Sequence, residues 1–142
     1  MARVKLELPE KFLYSTTIDV RITDINYGGH LGNDSVLSLI HEARVRFLAE
    51  NNFSEKDVDG VGIIMTDSVI VYSSEGFYGD KIRIDVAIDD ITNTGCDIFY
   101  KLINSKNEKE IAKAKTGIVF YNYQLKRIAR TPKTFIDKFQ KD

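Results

Sequence analysis

The stretch ITDINYGGHLGND, residues 22–34, gathers most of the chain's candidate chemistry into one junction. Ahead of its turn stands a carboxylate, Asp24, and inside it one of the chain's two histidines, His30. Two asparagines, Asn26 and Asn33, and three glycines, Gly28, Gly29 and Gly32, complete it. Histidine is the ordinary side chain for moving a proton near neutral pH. Glycines let a ligand come close to the backbone. A helix that starts here adds unpaired N–H groups and the positive end of its dipole, which suit an oxygen bearing negative charge. A carboxamide has no titratable acceptor near neutral pH, so Asn26 can orient a water or a carbonyl but cannot take a proton. The bland readings stand beside these. Asp24 serves a turn as an acceptor for backbone N–H groups, the role we favour for it, and a histidine in a loop is commonly just hydrogen-bonded there.

Such a junction works only if the flanking elements hold it. Before it, LYSTTIDVRI (residues 13–22) sets Ile18, Val20 and Ile22 against Asp19 and Arg21, the period of a strand with one wet face. After it, DSVLSLIHEARVRFLAE sets Val36, Leu37, Ile40, Ala43, Phe47 and Leu48 at helical spacing from Asp34 to about Glu50, with Leu39 and Val45 adding apolar surface on other sides. Asn33 or Asp34 suits the N-cap. A helix this apolar is one around which a sheet wraps. On it His41 reads as structural, and Glu42 has Arg46 one turn on as an ion-pair partner.

The rest is strand-rich. GIIMTDSVIVYSSE contains the apolar run Val69–Tyr72, expected to be buried on both faces. KIRIDVAI alternates cleanly, and CDIFYKLINS and EIAKAKTGIVFYN are joined by the hairpin-like SKNEK. After the short stretch YQLKRIAR, Pro132 can open a final helix carrying Phe135, Ile136 and Phe139 on one side. Strand, turn, long helix, about four strands in meander and a short helix together predict an α+β fold: an antiparallel sheet of about five strands with the helix on one face.

Composition excludes much. At 142 residues a single domain, 1–142, is expected. A net charge of −1 and the lack of an aromatic-plus-basic module argue against nucleic acid. A lone Cys96 rules out an intrachain disulfide, and two histidines eleven residues apart without an H-E-x-x-H pattern give no metal site. YGGHLGND lacks the Lys-Ser/Thr of a phosphate-binding loop, and no cofactor is expected. The basic tail from Gln124 onward reads as a solvated face. No signal-like or bilayer-length apolar run occurs, so no membrane partner and a cytoplasmic location are expected.

The order of elements and the residues of the junction resemble the hotdog-fold acyl-CoA thioesterases. The pattern is nearest to the 4-hydroxybenzoyl-CoA thioesterase-like branch and the plant fatty acyl-ACP thioesterases. The likeness continues through VIVYSSEGFYGDKIRI, AKAKTGIVFYN and RIARTPKTF, covering roughly residues 12–136. It implies a hotdog fold, assembled as a homodimer or homotetramer, and a hydrolase acting on an acyl-CoA or acyl carrier protein thioester. It implies that the N–H of Asn33 holds the thioester oxygen, with Asp24, Gly28, Gly29 and Gly32 at the substrate. It also implies a catalytic carboxylate two positions after Asp24, where this chain has Asn26. His30 matches the histidine of the plant enzymes, and Glu42 a catalytic helix glutamate of another branch. Glu42 lies nine residues past Asn33, about 13 Å along the helix, so it reaches such a site only across a dimer. Two alternatives accompany hydrolysis: a non-catalytic acyl-thioester-binding protein, and an acyl-CoA hydratase or dehydratase, which would need its histidine to face a carboxylate.

Overall fold

A computed structural model describes residues 3–140. The elements run β1 (Tyr14–Asp19), α1 (Asn33–Glu50), β2 (Gly62–Tyr72), β3 (Lys81–Asp89), β4 (Gly95–Asn104), β5 (Glu110–Asn122), β6 (Arg127–Ile128) and α2 (Lys133–Phe139), with one 3-10 turn at Ile22–Asp24. The six strands form one antiparallel sheet in the order β1-β3-β4-β5-β2, and β6 pairs with the end of β5. The α+β class and the single long helix are as expected. The sixth strand is the two-residue β6, hidden in YQLKRIAR because so short a pairing leaves no periodicity to read.

Only β3-β4-β5 form a meander, which corrects the expected run of four. Residues 73–80 are not a hairpin turn but a strap that carries the chain from β2, at one edge of the sheet, back to β3 beside β1. The strap is sewn down where it arrives: Val20 N–H donates to Asp80 O at 2.8 Å and Gly79 N–H to Val20 O at 3.0 Å. Because β2 is an edge strand, its apolar run is not buried on both faces: Val71 is buried and Tyr72 is half exposed. Edge position removes the neighbour that would have covered it, and α1 lies over β1 and β3 instead.

The helix buries Val36, Leu39, Ile40, Ala43, Phe47 and Leu48. Leu39 thus belongs to the core stripe and Leu37 does not, the reverse of the expectation: positions 36, 39, 40, 43 and 47 share one face at 3.6 residues per turn, whereas 37, 41 and 45 share another. Leu37 and Val45 stay exposed. Opposite α1, Ile82, Ile84 and Val86 from β3 and Ile98, Tyr100 and Leu102 from β4 are fully or almost fully buried. Ile22 leaves the β1 pattern and is exposed, since the chain has already turned into the 3-10 segment. At the far end α2 seals the core as its spacing predicts. Phe135 stacks edge-on with Phe120 at 5.1 Å and Phe139 at 4.8 Å, and Phe139 meets Phe47 at 5.3 Å. Among the described residues no helix is long and apolar enough to cross a membrane.

Candidate active site

The junction between β1 and α1 is a closed loop held from inside. Asp24 is buried, and its carboxylate accepts from Arg21 three times: the backbone N–H at 2.9 Å, Nε at 3.2 Å and Nη2 at 3.1 Å. Burial works against its charge, but the Arg21 bonds outweigh it and hold the carboxyl below its ordinary range. Its backbone O takes the Gly32 N–H at 2.9 Å. Asn26 spans the turn: its N–H donates to His30 O at 2.8 Å, and its Oδ1 accepts from Gly28 N–H at 2.9 Å and His30 N–H at 3.3 Å. Gly29 sits at φ +86°, which glycine adopts without strain.

The strap supplies the other wall. Leu31 N–H donates to Gly76 O at 2.7 Å, and a Cβ on Gly76 would lie 3.1 Å from that of Leu31, so a side chain there would crowd Leu31 by a few tenths of an ångström. Held there, Glu75 Oε2 reaches His30 Nε2 at 3.4 Å, and Phe77 meets the imidazole edge-to-face at 5.4 Å. Glu75 is the site residue that sequence reasoning missed. It lies in a stretch whose likeness to the family was visible, but only the fold of the strap brings it to His30.

The first turn of α1 opens to solvent. Asn33 is exposed, and among the described residues nothing accepts its N–H or that of Ser35. Its Oδ1 takes the N–H of Asp34 at 3.0 Å, and Tyr72 Oη donates to its backbone O at 3.3 Å. Two separate hollows flank the junction, one lined by Asp34 of the first turn and the other by Glu75 of the strap. A cleft of about 390 Å³ runs between α1 and the inner face of the sheet, past Leu37, Ser38 and His41 on one side and Met65 and Ser68 on the other. A second, of about 620 Å³, lies beyond the strap between Glu75 and the β4–β5 hairpin with Lys106 and Lys109.

Asp24, Asn26, Gly28, Gly29, His30, Gly32 and Asn33 are thus brought together, with the Asp24 carboxylate turned inward. Glu42 is not among them. It accepts from Arg46 Nε at 2.8 Å on the flank of α1 beside β1, where Arg46 also donates to Thr16 Oγ1 at 2.8 Å. His41 stands instead on the cleft, its Nε2 2.9 Å from Glu55 Oε1, while Glu55 Oε2 accepts from Arg44 Nε at 2.8 Å. Cys96 is buried, and its thiol is pushed far above the ordinary range, so it is no nucleophile. Among the described residues no group of histidines, cysteines and carboxylates is placed to hold a metal.

Known structures share this fold. A 1,4-dihydroxy-2-naphthoyl-CoA thioesterase from Synechocystis superposes with a TM-score of 0.79 at 17% identity, over 91% of this chain and 98% of its own. A DHNA-CoA thioesterase from Staphylococcus aureus gives 0.76 at 18%, over 87% and 84%. A hypothetical protein from Aquifex aeolicus gives 0.81 at 16%, over 90% and 100%. At such identities the likeness is one of fold, the hotdog. No curated protein sequence matches. Residues 20–139, which include the turn, α1, the strap and α2, match a family described as the Thioesterase-like superfamily, and it is to this superfamily that the chain belongs.

Proposed function

We propose that the protein hydrolyses an acyl-CoA, or the equivalent acyl carrier protein thioester, to a free acid and a thiol. The observation that carries this reading is the pair of unpartnered N–H groups at the start of α1, beside a histidine that faces a carboxylate. A thioester carbonyl placed at the Asn33 N–H becomes more electrophilic, and the oxyanion formed on attack gains a hydrogen bond and the helix dipole. In the tautomer protonated at Nε2, on the side of Glu75, His30 keeps Nδ1 as an acceptor. It takes a proton as water adds to the carbonyl carbon, and returns it to the sulfur as the C–S bond breaks. Asn26 holds the turn in shape instead of taking the proton, and Asp24 braces it from within. The acyl group lies along α1 in the cleft past Ser38, and the carrier leaves through the hollow beside Lys106 and Lys109. The named activities of the Synechocystis and Staphylococcus aureus proteins support a CoA thioester as substrate.

The site is completed by a second copy of the chain. β2 offers an eleven-residue unpaired edge, and Leu37 lies across the cleft from it, with the exposed Val45 two turns further along α1. Partner contact there walls the open side of the cleft, while Glu42, paired with Arg46 on the β1 flank of α1, stays away from it. A cytoplasmic place fits a free, buried Cys96.

A second reading, binding without turnover, is favoured by Asn26 standing where a carboxylate is expected. Release of free thiol from a panel of short, long and aromatic acyl-CoAs decides between them. Saturable binding with no thiol release supports the second reading, and hydration of an enoyl-CoA without hydrolysis would reassign the His30–Glu75 pair to a hydratase.

A further inference from the structure

A carboxylate does stand beside Asn26, and it comes from the helix. Asp34, in the first turn of α1, carries its Oδ1 back over Gly32, to 2.6 Å from where a Cβ on that glycine would stand. Asn26 Cβ lies 3.6 Å from the same point, so the two side chains converge over one glycine. Gly32 keeps φ at −69°, open to any residue, so what the glycine contributes is room. Asn26 Oδ1 accepts the Gly28 and His30 N–H groups, which fixes the way the amide faces and leaves Nδ2 as a donor with no partner among the described residues. Asp34 is bonded through its backbone N–H, which donates to Asn33 Oδ1, while its carboxylate has no hydrogen-bond or ion-pair partner among the described residues. Asp34 also lines the cleft along α1, at the end that begins beside Asn33. From β2, Tyr72 registers it: burial, and then the Asp34 charge, push that phenol above its ordinary range.

We propose that Asp34 is a catalytic residue: together with Asn26 it holds the attacking water, doing from the helix what a carboxylate at position 26 would do. The inference rests on the thioester-hydrolysis reading of the site. A water has two hydrogens and two lone pairs, and the site gives each a place. One lone pair accepts from Asn26 Nδ2, and the other is aimed at the carbonyl carbon of a thioester held at the Asn33 N–H. One hydrogen is donated to the Asp34 carboxylate and the other to His30 Nδ1. As the O–C bond forms, the hydrogen on His30 passes to Nδ1 as a proton, and the electron pair of that O–H bond stays on oxygen. Asp34 keeps its charge throughout and takes no proton. Because that charge sits at the positive end of the α1 dipole, the cost of a second anion near the oxyanion is offset in part. A carboxylate without a positive partner keeps its full accepting capacity for the water.

Four proteins test this: the wild type, Asp34→Asn, Asn26→Asp and the two substitutions together. Each is assayed by thiol release from the acyl-CoA that the wild type turns over fastest, and each is melted. Asp34→Asn should lower kcat about tenfold or more with KM within about twofold, the scale of one hydrogen bond to a charged acceptor. In a chain that already carries Asn26→Asp, the same substitution should cost no more than about threefold, since a carboxylate then reaches the water from the other side. A merely structural role in the first turn of α1 would instead cost the same in both backgrounds. Equal cost in both, an unchanged kcat in Asp34→Asn, or a loss confined to KM overturns the inference and leaves hydrolysis standing. Should Asp34→Asn fail to fold, Asp34→Glu keeps the charge at the helix start but displaces the carboxylate by one methylene. It should melt with the wild type and turn over more slowly, and a wild-type rate overturns the inference. A wild type that releases no thiol from any acyl-CoA removes the hydrolysis reading itself and the role of Asp34 with it.

Discussion

Glu75 Oε2 stands 3.4 Å from His30 Nε2, although forty-five residues and a whole helix and strand separate them in the chain. The strap makes that meeting, through the Leu31–Gly76 bond. If the pair moves the proton, the two residues contribute unequally. His30→Ala should lower kcat about a hundredfold or more, the usual worth of a general base. Glu75→Gln, which keeps the shape but weakens the hold on the ring, should cost about tenfold with KM little changed. Steady-state thiol release measures both, and a fully active His30→Ala protein would remove the assignment.

Asn26 carries a different load. Its Oδ1 accepts two backbone amides, from Gly28 and His30. Asn26→Ala leaves those amides to water and should cost about 1 kcal/mol of stability, with turnover falling about tenfold as the His30 backbone loosens. Asn26→Asp keeps both acceptor bonds and adds a carboxylate beside the turn. It should melt near the wild type and hydrolyse at least as fast. Denaturation curves and turnover, taken together, separate the two effects, and an inactive but stable Asn26→Asp would show that the carboxamide itself is required.

Much of this was legible in the chain because it is local. The β1-to-α1 junction, the helical stripe through Val36, Ile40, Ala43 and Phe47, and the docking of Phe135 and Phe139 follow from spacing alone, whereas the N-cap expected at Asn33 or Asp34 falls one residue earlier on Gly32, which brings no side-chain acceptor. Whatever depends on crossing the sheet was not. Placing β2 at an edge beyond β5 turned Val69–Tyr72 from core into a half-open rim, and let residues 73–80 deliver Glu75 to His30. Glu55 was equally invisible: it follows α1 in a loop with no periodicity, and only folding sets it between His41 and Arg44. Leu37 and Leu39 exchanged roles because they flank the stripe on opposite sides, and which flank the sheet covers is decided only when the sheet is in place.

The exposed stripe on α1 makes assembly testable. Val45 is exposed about two turns along α1 from Leu37, outside the lining of the cleft. With a partner seated on this face, the protein should sediment at twice 16.2 kDa or a higher even multiple. Val45→Glu places a charge in that contact and should shift the population toward monomer, with thiol release falling alongside. A wild-type protein that stays monomeric throughout would remove the partner from the site.

Phe135 is a nearly enclosed ring between Phe120, Phe139 and, at 6.4 Å, Phe53. Truncating it opens a cavity at the junction of α2 with the sheet. Phe135→Ala should cost about 3–5 kcal/mol. Urea titration checks the figure. A loss under about 1 kcal/mol would mean that α2 rests on the domain without sealing it.

Acid should find two of the carboxylates that charged partners hold ionised, Glu55 and Asp24. Burial pushes the Glu55 carboxyl upward, but Arg44 and His41 outweigh it, so it stays below its ordinary range; Asp24 is held low in the same way by Arg21. In the unfolded chain both regain ordinary values, near pH 4. Above that range both states are ionised and these groups contribute their full stability at constant level. As pH falls through it, the unfolded chain takes up protons first, and the stability they confer is progressively lost toward the lower folded values. The melting temperature should therefore hold roughly level from about pH 7 to 5 as far as these groups set it, and drop below about pH 4. Glu55→Gln and Asp24→Asn should each start lower at neutral pH and fall less steeply in acid. Thermal melts across that range read both features, and an acid slope unchanged in both variants would place the sensitivity elsewhere in the molecule.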